Sequence, residues 1–256
     1  MTLENKKKVK INVSPLCIAI ICVMLFAVSC QKSDERRCIK SSGEYAIYER
    51  PLEHFTKVVL QDNMHLTIIP DSIDFLRLEA PSNLADFITS DVKDKVLFLR
   101  NTNRCNWLRS YNNDINIELH SSNISSLEYR GSGDVNIDGC ISGDSFNIDV
   151  HDGSGTITAF VSLNNLGVKI HNGVADIYVS GSSGYTEVYN AGRGYIYLQD
   201  CKSSFARVIH RGTGDCHVKA VSKMDIFLEY VGNVHYYGQP DELYTHVTGS
   251  GQIIAH

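Results

Sequence analysis

The segment Gly131-Ser132-Gly133-Asp134 has the residue types of a phosphate-binding loop, a tight turn or one unit of a repeat. A phosphate-binding loop is followed by a helix, whose N-terminal N–H groups hold the anion. Here the residues that follow alternate between apolar and polar types, which is the period of a strand. The sequence therefore disfavours a phosphate loop and predicts that these glycines form a corner.

Imidazoles recur two residues before the first glycine of several similar segments. In chain order this position holds Tyr129, His151, His171, Asn190, His210, Tyr230 and Val247. If the segments stack, His151 and His171 lie about 5 Å apart, a separation at which two imidazoles can share a metal. The alternative is a polar ladder that is hydrogen-bonded to the backbone. No Asp, Glu or Cys completes a ligand set at this position, so we predict the ladder and no metal site.

Aspartates also share one recurring position, at Asp134, Asp176 and Asp215. Calcium-binding β-rolls use a nine-residue period with stacked carboxylates, whereas Thr156 and Tyr195 interrupt this series. Polysaccharide lyases on solenoid scaffolds need clustered acidic ligands and a base in one groove. Because no such set converges, we predict that the protein is not an enzyme, with a polysaccharide-active enzyme as the alternative.

The outward positions of the later segments are rich in tyrosine and histidine. Such rings give contact area and their polar atoms give direction, which suits a sugar or protein surface. The alternative is that strands favour tyrosine for their own packing. We predict a ligand-facing surface that needs no cofactor. Its residues are Tyr178, Tyr195, Tyr197, His217 and Tyr237, with His235 on the same face.

The elements that position these residues form a repeat of seven units. Their first glycines are Gly131, Gly153, Gly173, Gly192, Gly212, Gly232 and Gly249, at intervals of 17 to 22 residues. Apolar residues alternate after each corner, as in Val135/Ile137, Ile157/Ala159, Ile177/Val179, Ile196/Leu198, Cys216/Val218 and Ile253/Ala255. One unit cannot bury a face by itself, but stacked parallel units can. We predict an all-β fold, a right-handed parallel β-solenoid with coils of about 20 residues, in preference to a β-sandwich.

The region before the repeat is less regular but still strand-like. The stretch KVVLQDNMHLTII (57–69) predicts two strands around the turn pair Asp62-Asn63. The stretch PSNLADFITS (81–90) predicts a helical turn with Ser82 as its cap.

The cysteines do not form a disulfide framework. Five remain after the leader and the lipidation candidate, an odd number: Cys38, Cys105, Cys140, Cys201 and Cys216. Cys140 and Cys201 each follow the second glycine of a corner by seven residues, which places them three coils or about 14 Å apart. We therefore predict that both are free thiols.

The first thirty residues resemble a bacterial export signal. Lys6-Lys7-Lys8 precedes an apolar run, 16–28, that is too short to span a bilayer comfortably. Ala27-Val28-Ser29-Cys30 resembles a lipobox, in which the cysteine receives lipid; the alternative is an ordinary signal with an incidental Cys30. The predicted organisation is a lipoprotein signal peptide (1–29), a flexible linker after the lipidated Cys30 (30–44) and a single β-solenoid domain (45–256).

Four stretches between Phe55 and Gly139 resemble the head GIN domain family of putative autotransporter adhesins, known from Bacteroidota. They read FTKVVLQDNMHLTII, LRLEAP, DVKDKVLFLRN and INIELHSSNISSLEYRGSGDVNIDG. The resemblance extends over roughly residues 50–256 and implies a β-solenoid with no established catalytic residues. Gly173-Val174-Ala175 and Gly232-Asn233-Val234 depart from the Gly-Ser-Gly pattern, so we expect wider corners there.

These observations predict a cell-envelope lipoprotein whose solenoid is a non-catalytic binding or adhesion-type module. The net charge of −5 disfavours a nucleic-acid partner. The expected partners are the membrane, through the lipid anchor, and a glycan or surface protein. Ser33-Asp34-Glu35 resembles a signal for outer-membrane surface export. We expect an outer-membrane lipoprotein on the cell surface or the periplasmic face, with a structural periplasmic lipoprotein as the alternative.

Cys30→Ala should release the protein from the membrane fraction or leave its signal uncut, because the variant has no thiol to receive lipid. Cell fractionation and intact mass measure both effects, and Cys38→Ala is the matched control. A Cys30→Ala protein that stays in the membrane with the wild-type mass would contradict lipid attachment.

Overall fold

Strands account for most of the chain between Ser41 and His256, which forms one unit. The computed structural model describes residues 41–103, 114–121 and 123–256. Cys30 and the rest of the predicted leader, with Cys38 and Cys105, lie outside the described residues. The elements are β1 (Tyr45–Pro51), β2 (Lys57–Asp62), β3 (His65–Pro70), β4 (Phe75–Pro81), α1 (Ser82–Ala85), β5 (Ile88–Lys93), β6 (Val96–Asn101), β7 (Asn116–Ser121), β8 (Ser126–Gly131), β9 (Val135–Val150), β10 (Thr156–Ile170), β11 (Asp176–Asn190), β12 (Ile196–His210), β13 (Cys216–Leu228), β14 (Val234–Tyr237), β15 (Glu242–Val247) and β16 (Ile253–Ala255).

The long strands β9 to β13 each supply most of one coil. They pair in parallel and in chain order, and the partners are one repeat apart: Ile157 lies beside Ile177, and Ile177 beside Ile196. The all-β solenoid, of about six turns with coils of about 20 residues, is confirmed. A β-sandwich is wrong because consecutive repeats stack directly on one another.

Apolar columns inside the coils form the core. One column runs through Leu66, Val135, Ile157, Ile177, Ile196, Cys216 and Val234, each at most 1% exposed. Each such side chain contributes roughly 1.5–3 kcal/mol through burial. The prediction that Ile253 and Ala255 continue the buried pattern is wrong. Ile253 is half-buried and Ala255 exposed, because no described coil stacks beyond β16.

Strands β2 and β3 form a coil that lies between two coils made later in the chain. β2 pairs in parallel with β6 on one side and β8 on the other, and β3 pairs likewise with β7 and β9. The predicted turn between β2 and β3 is confirmed. Asp62 has φ 65°, a left-handed conformation that aspartate and asparagine tolerate better than other side chains.

Antiparallel strands at the N-terminal end depart from the all-parallel expectation. β1 pairs with β4, β4 with β7, and β5 with β6. These strands satisfy backbone groups on the outer side of the β6–β7 coil, which would otherwise be an open sheet edge.

Helix α1 begins at Ser82, so the prediction of Ser82 as its cap is wrong. The preceding residue is Pro81, and no side chain caps the helix. Backbone carbonyls take that role instead: Ser82 N–H donates to Glu44 O at 2.8 Å, and Asn83 N–H donates to Ser42 O at 3.1 Å. The segment before β1 thus satisfies two of the orphan N–H donors of the helix.

The corner glycines are required mainly by the close approach of stacked coils. A Cβ atom on Gly194 would lie 1.8 Å from the carbonyl oxygen of Ala175 in the coil below. Gly173 is different because its φ of +105° is itself unfavourable for other residues. The Gly173 corner, where the sequence lacks a second glycine, therefore has a different backbone path.

Cys140 and Cys201 are free thiols, as predicted, but they do not occupy equivalent positions. Cys140 is exposed and lies beside Phe160, whereas Cys201 is 1% exposed and lies beside Gly181. The register shifts between Thr158 and Phe160 in the β9–β10 pair and between Tyr178 and Gly181 in the β11–β12 pair. Together these irregularities place the two cysteines in adjacent columns, one outward and one inward.

Ile196→Ala should lower the free energy of unfolding by about 2–5 kcal/mol, because a side chain between two coils leaves a cavity. Ile196→Asp should cost more, since it buries an unpaired charge. Tyr195→Ala, the adjacent control, should cost less than about 1.5 kcal/mol, the value of one aromatic contact. Urea unfolding compares the three, and equal losses for Tyr195→Ala and Ile196→Ala would contradict the assigned faces.

Candidate functional site

One outward face, along β11, β12, β13, β14 and β16, carries a continuous group of seven aromatic and imidazole rings. We call it the aromatic row: Tyr178, Tyr195, Tyr197, His217, His235, Tyr237 and His256. Tyr178, Tyr197, His217 and His235 lie side by side in successive coils. Tyr195 lies on one side of this line, and Tyr237 and His256 lie on the other. The structure therefore brings together all five residues predicted to face a ligand.

The rings of the aromatic row stack face to face along the solenoid axis. Tyr178 and Tyr197 have centroids 4.5 Å apart at 11°, and Tyr197 and His217 are 5.0 Å apart at 21°. His217 and His235 follow at 4.3 Å and 5°. A second stack, of Tyr237 on His256 at 4.6 Å and 11°, runs beside the first. This spacing follows from the spacing of coils in a parallel sheet.

Stacking determines what the aromatic row presents to solvent. Interior rings are covered on both faces by their neighbours, so they present edges, hydroxyls and ring nitrogens. Tyr178 differs because Thr158, and no further ring, occupies its position in the coil below. Tyr195 lies beside Tyr197 at 6.0 Å, and Tyr178 and Tyr195 are each 40% exposed. The row therefore ends in two tyrosines whose aromatic surface is accessible.

The central rings of the aromatic row are uncharged at neutral pH. Burial lowers the pKa of His217, and the neighbouring His235 lowers it further, so His217 is neutral. Burial and the nearby Tyr178 raise the pKa of Tyr197, so its hydroxyl keeps its proton. His217 and Tyr197 thus offer neutral donors and acceptors at the centre of the row.

The aspartate position beside the aromatic row has a structural role. Asp134 Oδ1 accepts the N–H of Thr156 at 2.9 Å, and Asp176 Oδ1 accepts that of Tyr195 at 2.8 Å. Asp215 Oδ1 accepts the N–H of Asn233 at 2.7 Å. Each carboxylate bonds to the backbone of the next coil, and the bond to Tyr195 fixes one end of the aromatic row. Among the described residues, no three His, Cys, Asp or Glu side chains converge as a metal centre.

The predicted single ladder is wrong by one residue at His151 and His171 and by two residues at Tyr230. The column that contains Tyr129 continues through Val150, Ile170, Asn190, His210, Leu228 and Val247. His151 and His171 belong to the next position, outside the core. The corners after Val150 and Ile170 contain one more residue before the glycine, and Asp152 there has φ 59°. Counting back from the glycine therefore selects different columns in different coils.

Each polar side chain of that buried column donates a hydrogen bond to a carbonyl of its own corner. This role was not predicted from the sequence. Tyr129 Oη donates to Gly133 O at 2.7 Å, and Asn190 Nδ2 donates to Gly194 O at 2.9 Å. His210 Nε2 lies 2.7 Å from Gly214 O and donates to it. In all three cases the polar residue has glycines at the second and fourth positions after it. That spacing is the signal that could have identified them.

His151 and His171 do stack, at 4.3 Å and 4°, but they do not meet His210. Burial lowers the pKa of His151, and His171 lowers it further. His171 Nε2 lies 3.4 Å from Asp149 Oδ1. The two rings therefore form a stacked pair of polar side chains on the outer surface of the sheet.

The hollows at the N-terminal end are open and polar. One, of about 330 Å³, is lined by Asp62, Asn63, Asn101, Arg130 and Asp152 among others. Small-molecule and catalytic pockets are enclosed and mostly apolar, so these hollows do not resemble an active-site cleft. No helix among the described residues is long and apolar enough to cross a membrane.

A parallel stack of about six coils defines the class of solenoid repeat proteins, in which each unit contacts its neighbours. Residues 54–240 match the model of the family described as "Putative auto-transporter adhesin, head GIN domain", and the chain belongs to that family. The sequence-based identification of the family is thereby confirmed. Among curated proteins, no sequence matches the chain.

Solved structures share the fold. A putative adhesin from Bacteroides fragilis NCTC 9343 superposes with a TM-score of 0.78 at 21% identity, over 83% of this chain and 97% of its own. A putative lipid binding protein from Parabacteroides distasonis ATCC 8503 gives 0.67 at 19% identity, over 85% and 99%. A putative adhesin from Parabacteroides merdae ATCC 43184 gives 0.62 at 14% identity, over 85% and 98%. At these identities the likeness establishes the fold.

Acidification should destabilise the protein partly through His210. Burial lowers the pKa of His210 in the folded protein, whereas the unfolded chain takes up this proton near 6.5. Below pH 6.5 the unfolded state therefore binds more protons, so stability decreases as the pH falls through 6.5 towards the folded pKa. Urea unfolding from pH 8 to 5 measures this decrease.

The matched variant is His210→Asn, because Asn190 forms the equivalent corner bond in the adjacent coil. His210→Asn removes the titrating group and should show a smaller loss of stability on acidification. Identical pH dependence in the variant and the wild type would contradict a neutral, buried His210.

Proposed function

We propose that this protein is a non-catalytic binding module of the cell envelope whose aromatic row binds a glycan. The observation that carries the proposal is the continuous row of seven rings that ends in the exposed Tyr178 and Tyr195. Membership of an adhesin-type family supports a role in attachment rather than catalysis.

A glycan fits the chemistry of this face better than a charged polymer does. Tyrosine combines an apolar ring with a hydroxyl, so the apolar face of a sugar can pack on Tyr178 or Tyr195 while its hydroxyls bond to polar tips. The stacked rings are held by neighbours on both sides, which reduces the side-chain entropy that binding would otherwise have to remove. Phe160, 49% exposed and one coil earlier on the same face, extends the apolar area.

The polysaccharide-active alternative is less well supported. Asp134, Asp176 and Asp215, which stand beside the candidate face, each accept a backbone N–H from the next coil. A carboxylate held in this way is a poor candidate for the general acid or base of glycoside cleavage, which requires two carboxyls placed across the scissile bond.

We further propose that lipid on Cys30 attaches the protein to the outer membrane and that the domain is displayed on the cell surface. The lipobox-like sequence supports attachment. External protease added to intact cells should then remove the domain. Resistance of the domain on intact cells, together with cleavage after cell lysis, would instead support a structural periplasmic lipoprotein.

Tyr178→Ala and Tyr195→Ala should each weaken glycan binding about tenfold, which corresponds to roughly 1.4 kcal/mol for one lost ring contact. Purified protein is first screened on an array of neutral and acidic polysaccharides, and the best ligand is then titrated by calorimetry. Tyr244→Ala is the control, because Tyr244 is 54% exposed on β15, away from the aromatic row. Equal losses for Tyr244→Ala, or no binding to any polysaccharide, would overturn the glycan assignment.

A further inference from the structure

Two stacked ring pairs face one another at the end of the aromatic row. His217 stacks on His235, and Tyr237 stacks on His256. Across the gap, His217 Nδ1 lies 3.1 Å from the Tyr237 hydroxyl, and His235 Nδ1 lies 2.9 Å from His256 Nε2. The two imidazole nitrogens of the second contact, one from each pair, are therefore within hydrogen-bonding distance of each other.

We propose that His235 Nδ1 and His256 Nε2 bind a divalent first-row transition-metal ion, with Cu²⁺ preferred. The proton of the His235–His256 hydrogen bond passes to His256 Nδ1 or to solvent when the ion binds, and solvent completes the coordination. Nitrogen donors of this kind suit copper, nickel and zinc, and copper binds most tightly in the order of stability for divalent ions.

The separation of the two nitrogens distinguishes between coordination geometries. Imidazole nitrogens bond to such ions at about 2.0–2.1 Å, so two of them at right angles lie about 2.9 Å apart. Two nitrogens at a tetrahedral angle lie about 3.4 Å apart at the same bond length. The two nitrogens are hydrogen-bonded at 2.9 Å, a separation that also fits the right-angled arrangement of square-planar or tetragonal Cu²⁺ and Ni²⁺.

Neighbouring groups fix the tautomer and the orientation of the His235 ring. Asp215 Oδ2 lies 3.5 Å from His235 Nε2, and a carboxylate at that nitrogen keeps the proton there and leaves Nδ1 free as a ligand. Asp215 is itself fixed by the backbone N–H of Asn233 at 2.7 Å. The ring of His235 is held by its stack on His217, while His256 is exposed and gives an ion access.

This inference goes beyond the proposed function, because it does not require the aromatic row to bind a glycan. The molecule also supplies an internal control. His151 and His171 stack at 4.3 Å and 4°, almost as His217 and His235 do at 4.3 Å and 5°. No second ring pair faces His151 and His171 with a nitrogen at bonding distance among the described contacts, so imidazole stacking alone can be tested apart from the two-nitrogen arrangement.

The experiment titrates Cu²⁺ into the purified full-length protein by calorimetry and records its electron paramagnetic resonance spectrum. We expect one ion per chain and a tetragonal spectrum with coupling to imidazole nitrogen. His235→Ala and His256→Ala should each weaken binding at least tenfold, whereas His151→Ala and Tyr178→Ala should leave it unchanged. Because His256 is exposed, its variant should keep the wild-type melting temperature without metal, which separates ligand loss from unfolding.

Two results would overturn the proposal. One is Cu²⁺ affinity that is unchanged in the His235→Ala, His256→Ala double variant. The other is an equal loss in His151→Ala, which would mean that any surface imidazole serves. Glycan binding is measured separately in the presence of a chelator, so failure of the metal site and failure of the proposed function give different results.

Discussion

The hydrogen-bonded register between consecutive coils is the constraint on which the rest of this structure depends. Each coil of β9 to β13 lies on the previous one with its apolar residues in line, as in the column through Ile157, Ile177 and Ile196. No coil can bury its inward side chains alone, so core formation and register are set together. The same register places like residues above one another on the outside, and the aromatic row is the direct result.

Corners are where the chain adjusts that register. Where one residue is inserted, as before Gly153 and Gly173, the adjacent outward residues move while the inward column continues. Elsewhere a buried polar side chain replaces the apolar one and bonds to a carbonyl of its own corner, as Asn190 and His210 do. Such a group is stable in the core only because its donor is satisfied. The corners can thus differ in length while the inward columns of consecutive coils stay aligned.

Strand alternation made the solenoid, its inward columns and the aromatic row predictable, because a period of two assigns each residue to a face wherever the strand is regular. Residues at corners were misassigned for the opposite reason. Counting positions back from the glycine fails because Gly153 and Gly192 lie at different distances from the buried column. His256 lies beyond the last regular repeat and was missed. The antiparallel pairing of β1 and β4 depends on partners distant in sequence, about which local patterns carry no information.

The position of β2 and β3 between two later coils has a consequence for the order of folding. Lys57 contacts Glu128, 71 residues further along, whereas consecutive coils of the C-terminal half join residues about 20 apart. Closing the longer loop carries the larger entropic penalty, and non-local pairings form more slowly than local ones. As the chain is synthesised, β2 and β3 emerge early but lack one neighbouring coil until β8 and β9 exist. The edge of this early coil that faces β8 and β9 is thus paired only after the chain has doubled in length, and it must stay free of other strands until then.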